Sequence, residues 1–346
     1  MNTETDNPAL RRYRRMAWIT LAAVYFLILV GATVRASGAG MGCPDWPTCF
    51  GSWVPPTSEA QLPANYQEIY AELGYSDTRF NVVKTWTEYA NRLVGVSIGF
   101  LIFLTAIYSW SCRAHDPRIF KASVAAFLMV GFQGWLGSKV VGSNLQPGMI
   151  TVHMLMALAI VGTLLYAVAQ ARRGIMASQS VANIDPRFEK WLYIVLGLTI
   201  LQVAMGTQVR EMTDLLRESQ GEELRSSWIE AMPWFFYVHR SFSAVVLFAN
   251  LWLARMLVMS LGWQHTLSKL TLTMICVIGT AVLSGATLGH LGMPALVQPT
   301  HLLAASLLFG LQFLIWMSYR HSRDGNASDS STQGETELPT TNSVAA

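Results

Sequence analysis

The chain has little charge and little cysteine. Only 13% of its 346 residues are charged, against about 25% in an ordinary soluble domain. Because 52% of the residues are hydrophobic, a water-soluble globule would have too little charge to cover its surface, and a disordered chain is excluded as well. The net charge of +3 is too small to indicate a nucleic-acid partner. Four cysteines are too few for a scaffold built on disulfides.

Long uncharged runs fill most of the sequence, and a membrane helix needs roughly 20 mostly apolar residues. Three runs lie between the pairs Arg15 and Arg35, Arg92 and Arg113, and Lys121 and Lys139, and three more are 140–171, 191–209 and 270–319. A further apolar stretch, 234–258, contains Arg255, which can snorkel at its end. The run 270–319 is too long for one span and is broken at 289–299. The fold class is therefore predicted as an all-α integral membrane protein with eight transmembrane helices in the lipid bilayer.

Basic residues predict the orientation. If the N-terminus is inside, most lysine and arginine residues lie in the inner segments, so both termini are predicted to be cytoplasmic. Glu4 and Asp6 in the leader, residues 1–15, argue against an organelle transit peptide. The tail, residues 321–346, is rich in Ser, Thr, Asn and Gly and is predicted to be disordered, with His321 solvated. The third outer segment, residues 211–233, is predicted to be a loop.

An internal repeat divides the chain. The segment GATVR (31–35) resembles GTQVR (206–210), and YANR (89–92) resembles YVHR (237–240). The spacing from the second motif to a later histidine is the same in both halves, since 153 − 91 = 62 and 301 − 239 = 62. These matches predict two tandem four-helix bundles of one orientation, residues 16–171 and 191–320, joined by a cytoplasmic linker at 172–190.

Three histidines lie near the outer ends of predicted helices. His239 and His301 occupy alternate helices of one bundle, where two imidazoles facing each other suit the axial positions of a heme iron. The alternative is that each makes an interhelical hydrogen bond. Asn91 stands opposite His153 in the first bundle. Asparagine is a poor iron ligand, so this site is predicted to have one strong ligand and one weak or open position, unless it has lost its role.

Glu88 is one turn before Asn91 and is predicted to point into the same pocket. The equivalent position in the second half is Phe236, so the carboxylate is unique to the first bundle and favours chemistry there. The alternative is that Glu88 caps a helix.

Charged and sulfur-bearing residues recur at the outer boundary. Four arginines repeat pairwise there and are predicted to bind heme propionates through bidentate contacts, with interfacial snorkelling as the alternative. They are Arg35, Arg92, Arg210 and Arg240. Cys43 and Cys49 lie in the long outer loop, residues 36–87, and a disulfide is the default in an oxidising compartment. A transient redox role remains open.

The segments GATVRASGAGMGCPDWPTCFG (31–51) and EYANRLVG (88–95) resemble the heme A synthase family, and the resemblance covers residues 17–320. It implies tandem four-helix bundles in a bacterial or mitochondrial inner membrane. It also implies conversion of heme O to heme A, by oxidation of a ring methyl to a formyl group, with substrate heme in the N-terminal bundle and a heme B cofactor in the C-terminal one.

The resemblance also assigns individual residues. Glu88 matches the family's glutamate, with a role as base or as stabiliser of developing charge, and the three histidines match family ligands. Two departures are Asn91, where the family has a histidine, and the absence of a cysteine pair in the second half.

The resemblance implies a bacterial cytoplasmic membrane location, with heme O synthase and cytochrome c oxidase assembly components as partners. The alternatives are a membrane cytochrome that only transfers electrons and a non-catalytic heme carrier.

Overall fold

Eight long helices account for most of the fold. The computed structural model describes residues 7–143, 145–179, 181, 183–221 and 223–336. The helices are α1 (Pro8–Ala36), α2 (Val82–Trp110), α3 (Pro117–Gly142), α4 (Pro147–Ala171), α5 (Phe188–Gln220), α6 (Trp234–Leu261), α7 (Thr266–His290) and α8 (Val297–Thr336). A short helix, Arg173–Ala177, follows α4. Among the described residues, the β pairing is limited to one isolated bridge between Cys49 and Ser52.

The eight helices are long and apolar enough to cross a membrane. Each contains a candidate span, the shortest of 24 residues, in the part of the chain that the structure describes. At 1.5 Å of rise per residue, 24 residues reach about 36 Å, which exceeds the roughly 30 Å hydrocarbon core of a bilayer. The described residues thus confirm the prediction of an all-α chain with eight helices whose length and composition suit a membrane span.

Local sequence explains where several helices begin. The side chain of Asn7 accepts a hydrogen bond from the Ala9 amide, with Pro8 in the first turn of α1. Asp116 caps α3 in the same way, ahead of Pro117. A side-chain acceptor followed by proline suits a helix start because the first amides have no intrahelical partner. Asn81 caps α2 by accepting from the Lys84 amide.

Helix contacts divide the chain into two groups. In the first group, each of α1–α4 packs on the next and α1 packs on α4; in the second group, α5–α8 are arranged in the same way. The groups meet through α1 with α8, α4 with α8, and α4 with α5. Large apolar side chains such as Phe248 (67% exposed) and Leu283 (70% exposed) lie on the outside, as expected for surfaces that contact lipid.

Polar side chains join helices within each group. Thr20 on α1 bonds Thr105 on α2 at 2.7 Å. Gln312 on α8 donates to Asn250 on α6 and to Thr199 on α5, both at 2.9 Å. Such interhelical hydrogen bonds stabilise membrane bundles, where apolar packing against lipid provides little driving force.

Two expectations from the sequence are wrong. Residues 211–220 are not loop but continue α5 to Gln220, because no glycine or proline interrupts the helix before Gly221, whose φ is 77°, and because Arg210 and Asp214 form an i, i+4 ion pair. His321 is not solvated but 5% exposed, because α8 continues past residue 320 and packs on the short helix after α4. Residues 337–346 of the predicted tail lie outside the described residues.

Candidate functional site

His239 and His301 face each other inside the second group. Their ring centroids are 6.5 Å apart, with an angle of 77° between the ring planes. Nδ1 of His301 donates to the Ala281 carbonyl at 2.9 Å and lies 3.1 Å from the Ser284 hydroxyl. This bond directs the proton to Nδ1 and leaves the lone pair on Nε2. The structure therefore brings together the two histidines predicted as a pair.

Glycines lie beside the predicted ligand positions. A Cβ added at Gly285 on α7 would lie 3.0 Å from Cε1 of His301, and one at Gly206 on α5 would lie 3.2 Å from Cε1 of His239. Both distances are shorter than the 3.5–4.0 Å of an optimal carbon–carbon contact. Each ring therefore packs directly on helix backbone, and any residue larger than glycine would displace the ring.

The first group repeats this arrangement more loosely. A Cβ at Gly137 would lie 3.5 Å from Cε1 of His153, and one at Gly31 would lie 3.9 Å from Oδ1 of Asn91. Among the described atoms, Nδ1 of His153 and Oδ1 of Asn91 are buried and have no hydrogen-bond partner. Buried polar atoms without a partner are uncommon and call for a ligand or water.

Glu88 is buried at 4% exposure and is held between the loop that joins α1 to α2 and its own helix. Oε2 accepts the Cys43 amide at 2.8 Å, and Oε1 accepts Nη2 of Arg92 at 2.6 Å. The alternative that Glu88 caps a helix is wrong, because α2 begins about two turns earlier, at its cap Asn81. The carboxylate instead fastens the loop to α2.

The loop between α1 and α2, residues 37–81 (the disulfide loop), carries the predicted disulfide. Cys43 and Cys49 are linked, with an S–S distance of 2.02 Å, and both are fully buried. The loop backbone lies directly on α2, since a Cβ at Gly42 would lie 2.3 Å from the Lys84 carbonyl oxygen. Only glycine permits this approach. The disulfide loop therefore lies against the end of α2 that carries Glu88.

Two of the predicted arginines meet where the two groups join. Arg35 at the end of α1 donates to Asp214 on α5, with Nε at 2.8 Å, although the two residues are 179 positions apart. Arg210 reaches the other oxygen of Asp214 at 2.9 Å, and Arg217 lies 4.0 Å from it. Arg210 also bonds Gln298 on α8. Three guanidinium groups therefore surround one carboxylate in this arginine cluster.

The other two predicted arginines are elsewhere. Arg92 donates from Nη1 to the carbonyls of Asp45 at 2.7 Å and Thr48 at 2.8 Å, besides its bond to Glu88. Arg240 is exposed and lies over the Tyr237 ring at 5.4 Å. The structure therefore brings Arg35 and Arg210 together, engages Arg92 with the disulfide loop, and separates Arg240 from this arginine cluster.

Similarity to known proteins shows which family the chain belongs to. The family model for cytochrome oxidase assembly proteins, COX15-CtaA, matches residues 14–313. The chain belongs to this family. It is 31% identical over 186 residues to the heme A synthase of Shewanella oneidensis, covering 53% of each chain. It is 30% identical over 208 residues to that of Methylobacterium sp. (strain 4-46), covering 56% of each. The chain thus spans about half the length of the curated relatives it matches.

Family membership and eight apolar helices together make the chain a multi-pass membrane protein of the cytochrome oxidase assembly family. Some residues that organise the candidate site are not among those predicted from the sequence. Asp214 lies in the segment predicted to be a loop, although its i, i+4 spacing from Arg210 is a helical signal. Gln133 and Gln202 donate to the carbonyls of His153 (3.0 Å) and His239 (3.1 Å), and no sequence signal marks them.

Proposed function

We propose that this family member is a heme A synthase, which oxidises a ring methyl of heme O to the formyl group of heme A. The observation that carries the proposal is an asymmetry between the two groups of helices. One has two histidines with ring centroids 6.5 Å apart. At the positions 148 residues earlier the other has Asn91 and His153, and it has the buried carboxylate of Glu88 where the second group has Phe236. A protein that only transfers electrons has no need for this second, unequal site.

The two groups are proposed to be tandem four-helix bundles related by an internal repeat. Asn91 and His239 are separated by 148 residues, as are His153 and His301, and the glycines beside the later pair have the same separation (285 − 137 = 148). Both termini are proposed to be cytoplasmic in a bacterial cytoplasmic membrane. In this orientation both sites lie toward the outer face, and the disulfide loop lies over the Glu88 end of the first group.

His239 and His301 are proposed to hold heme B. The two imidazoles, with ring centroids 6.5 Å apart, would hold the heme iron between them through their ring nitrogens. A buried Nδ1 without a partner on His239 among the described atoms fits a site completed by a bound group. When bound, heme B supplies one-electron redox chemistry. The protein's part is to fix both imidazoles through Ala281 and the two glycines.

Heme O is the proposed substrate of the first site. His153 offers the strong iron ligand, and Asn91 leaves the opposite position weak or open, so substrate exchange is easier than at a bis-histidine site. Glu88 is proposed to stabilise positive charge that develops at the reacting carbon, or to act as a base toward water. Its bonds to Cys43 and Arg92 support a fixed position for the carboxylate, which such electrostatic stabilisation requires.

The arginine cluster at the junction supports propionate binding. Arg35 and Arg210 share the single carboxylate of Asp214 at side chains that are only 19–20% exposed, so two positive charges face one negative charge. Partly buried cations need anionic partners, and carboxylates match the guanidinium fork. Arg35 and Arg210 are therefore proposed to bind propionates from the two sites. Arg92 and Arg240 are proposed to bind propionates only if they leave their present contacts.

The proposed partners are heme O synthase, which would supply the substrate, and cytochrome c oxidase assembly components, which would receive heme A. The test is to produce the chain with a heme O synthase in a bacterium that makes no heme A, and to separate the extracted hemes by chromatography. Heme A is the expected product. Heme O left unchanged by protein that contains its full complement of heme B would overturn the proposal and favour an electron-transfer cytochrome or a heme carrier.

The variant Glu88→Gln tests the chemistry of the first site. It keeps the size of the side chain and removes the charge, so we expect normal heme B content with accumulation of heme O or a hydroxylated intermediate. Glu72→Gln, at an exposed position of the outer loop, is the matched control. Glu88→Asp keeps the charge but shortens the reach to Cys43, and partial recovery of heme A is expected. Heme A formation by Glu88→Gln at the level of the control would remove Glu88 from the mechanism.

A further inference from the structure

A cavity of about 580 Å³ lies at the end of the helices where α1 begins, opposite the disulfide loop. Its walls come from α1, the start of α3, the end of α4, the short helix after it, and the far part of α8. Along α4, Arg172 follows His153 by 19 residues, or about 28 Å. The cavity is therefore separated from the proposed heme sites by nearly the thickness of a membrane core.

The cavity is positively charged. Its lining contains four arginines and two aspartates, namely Arg14, Arg118, Arg172, Arg173, Asp116 and Asp324. Asp116 is already bound by Arg118, with Nε to Oδ1 at 2.9 Å and Nη2 to Oδ2 at 2.8 Å. Burial alone would raise the pKa of Asp116, but the hydrogen bonds from Arg118 and the positive charges of Arg118 and Arg173 outweigh it and hold the pKa below its ordinary value. Arginines outnumber aspartates in the lining by two.

Specific contacts shape this cavity. The Ser322 hydroxyl on α8 donates to the Met176 carbonyl of the short helix at 2.7 Å, and a Cβ at Gly325 would lie 2.6 Å from the Ala177 carbonyl oxygen. The positive-inside rule accounts for arginines on this side of a membrane. It does not account for their convergence on one concave site built from both groups of helices.

A buried acceptor supplies a second observation. Gln170 is 6% exposed, and its Oε1 accepts no hydrogen bond from any described atom. It lies in the lining beside Arg172. The oxygen is itself enclosed, so a ligand hydroxyl reaches it only when the Gln170 side chain turns toward the cavity. A ligand that satisfies both features carries a phosphate for the guanidinium groups and a hydroxyl that donates to Gln170.

We propose that this cavity binds the headgroup of an anionic glycerophospholipid, with the phosphodiester on Arg172 and Arg173 and a headgroup hydroxyl on Gln170. Basic pockets between transmembrane helices on the cytoplasmic side suit such headgroups, and guanidinium forks bind phosphate bidentately. Because the walls include α1, α4 and α8, the bound lipid joins the two groups of helices. The proposal does not depend on the heme chemistry.

The test measures retention of phosphatidylglycerol and phosphatidylcholine by the purified full chain, using native mass spectrometry. We expect preferential retention of phosphatidylglycerol and at least a tenfold loss of it in Arg172→Gln/Arg173→Gln. The matched control is Arg255→Gln/Lys269→Gln, which removes two exposed basic residues near the α6–α7 turn of the same side. Its retention should equal that of the unchanged protein.

Three results would overturn the proposal: equal retention of both lipids by the unchanged protein, equal losses in the two double variants, and displacement of phosphatidylglycerol by millimolar inorganic phosphate. The last would identify a soluble phosphate as the ligand. Arg172→Lys/Arg173→Lys keeps both charges and guards against a folding defect. It should retain an intermediate amount of phosphatidylglycerol, because a lysine cannot make the bidentate contact.

Discussion

Replacing Gly285 with alanine is expected to weaken the proposed heme B site without touching an iron ligand. The new Cβ would lie 3.0 Å from Cε1 of His301, whereas carbon atoms prefer about 3.5 Å or more. The ring must therefore move by about 0.5 Å. It is tethered at Nδ1 by the Ala281 carbonyl at 2.9 Å, so the movement strains either this bond or the iron contact.

The size of the effect follows from two opposing contributions. Overpacking a well-packed interior costs about 1–3 kcal/mol, while alanine gains about 1 kcal/mol over glycine in a helix interior. The helix gain stabilises the protein whether or not heme is bound. Without heme the His301 ring can turn away from the new Cβ at the cost of its bond to Ala281, whereas a ligated ring cannot, so most of the overpacking cost acts on heme binding. Heme B affinity is therefore expected to fall by about 5-fold to about 150-fold, with little loss of thermal stability in the heme-free protein.

The assay is heme B content and the low-spin absorption spectrum of the purified variants. Gly279→Ala on the same helix is the matched control, because a Cβ there meets nothing within 4 Å. Gly206→Ala, at 3.2 Å from His239, should have a smaller effect, and Gly137→Ala, at 3.5 Å from His153, should leave heme B unchanged. If Gly285→Ala and Gly279→Ala bind heme B equally, the packing argument is refuted.

The remaining predictions concern the ligands and the disulfide. His239→Ala should abolish the low-spin heme B spectrum, because one strong-field ligand is lost; an unchanged spectrum would contradict the ligand pair. Asn91→His should make the substrate heme more low-spin, and a spectrum like that of the unchanged protein would show that position 91 does not face the iron. Cys43 and Cys49 should resist thiol labelling of intact protein until a reductant is added. Quantitative labelling of both without reductant would contradict a bridge in the mature protein.

The sequence by itself determined the class of protein, the number of helices and the candidate ligands. A bilayer sets the minimum length of a spanning helix, so runs of uncharged residues predict spans without knowledge of the contacts. The spacing of 62 residues likewise related His153 to His301 before any packing was known. Such inferences succeed because they depend on properties that are local in the chain or repeat at a constant interval.

Only the tertiary structure decided which distant groups meet. The contact between Arg35 and Asp214 spans 179 positions, and that between Cys43 and Glu88 spans 45. His321 is buried because the short helix after α4 packs on α8. The physical reason is that side-chain partners across helices depend on the rotation and packing of each helix. Composition and periodicity describe the faces of a helix but do not determine which neighbour each face will contact.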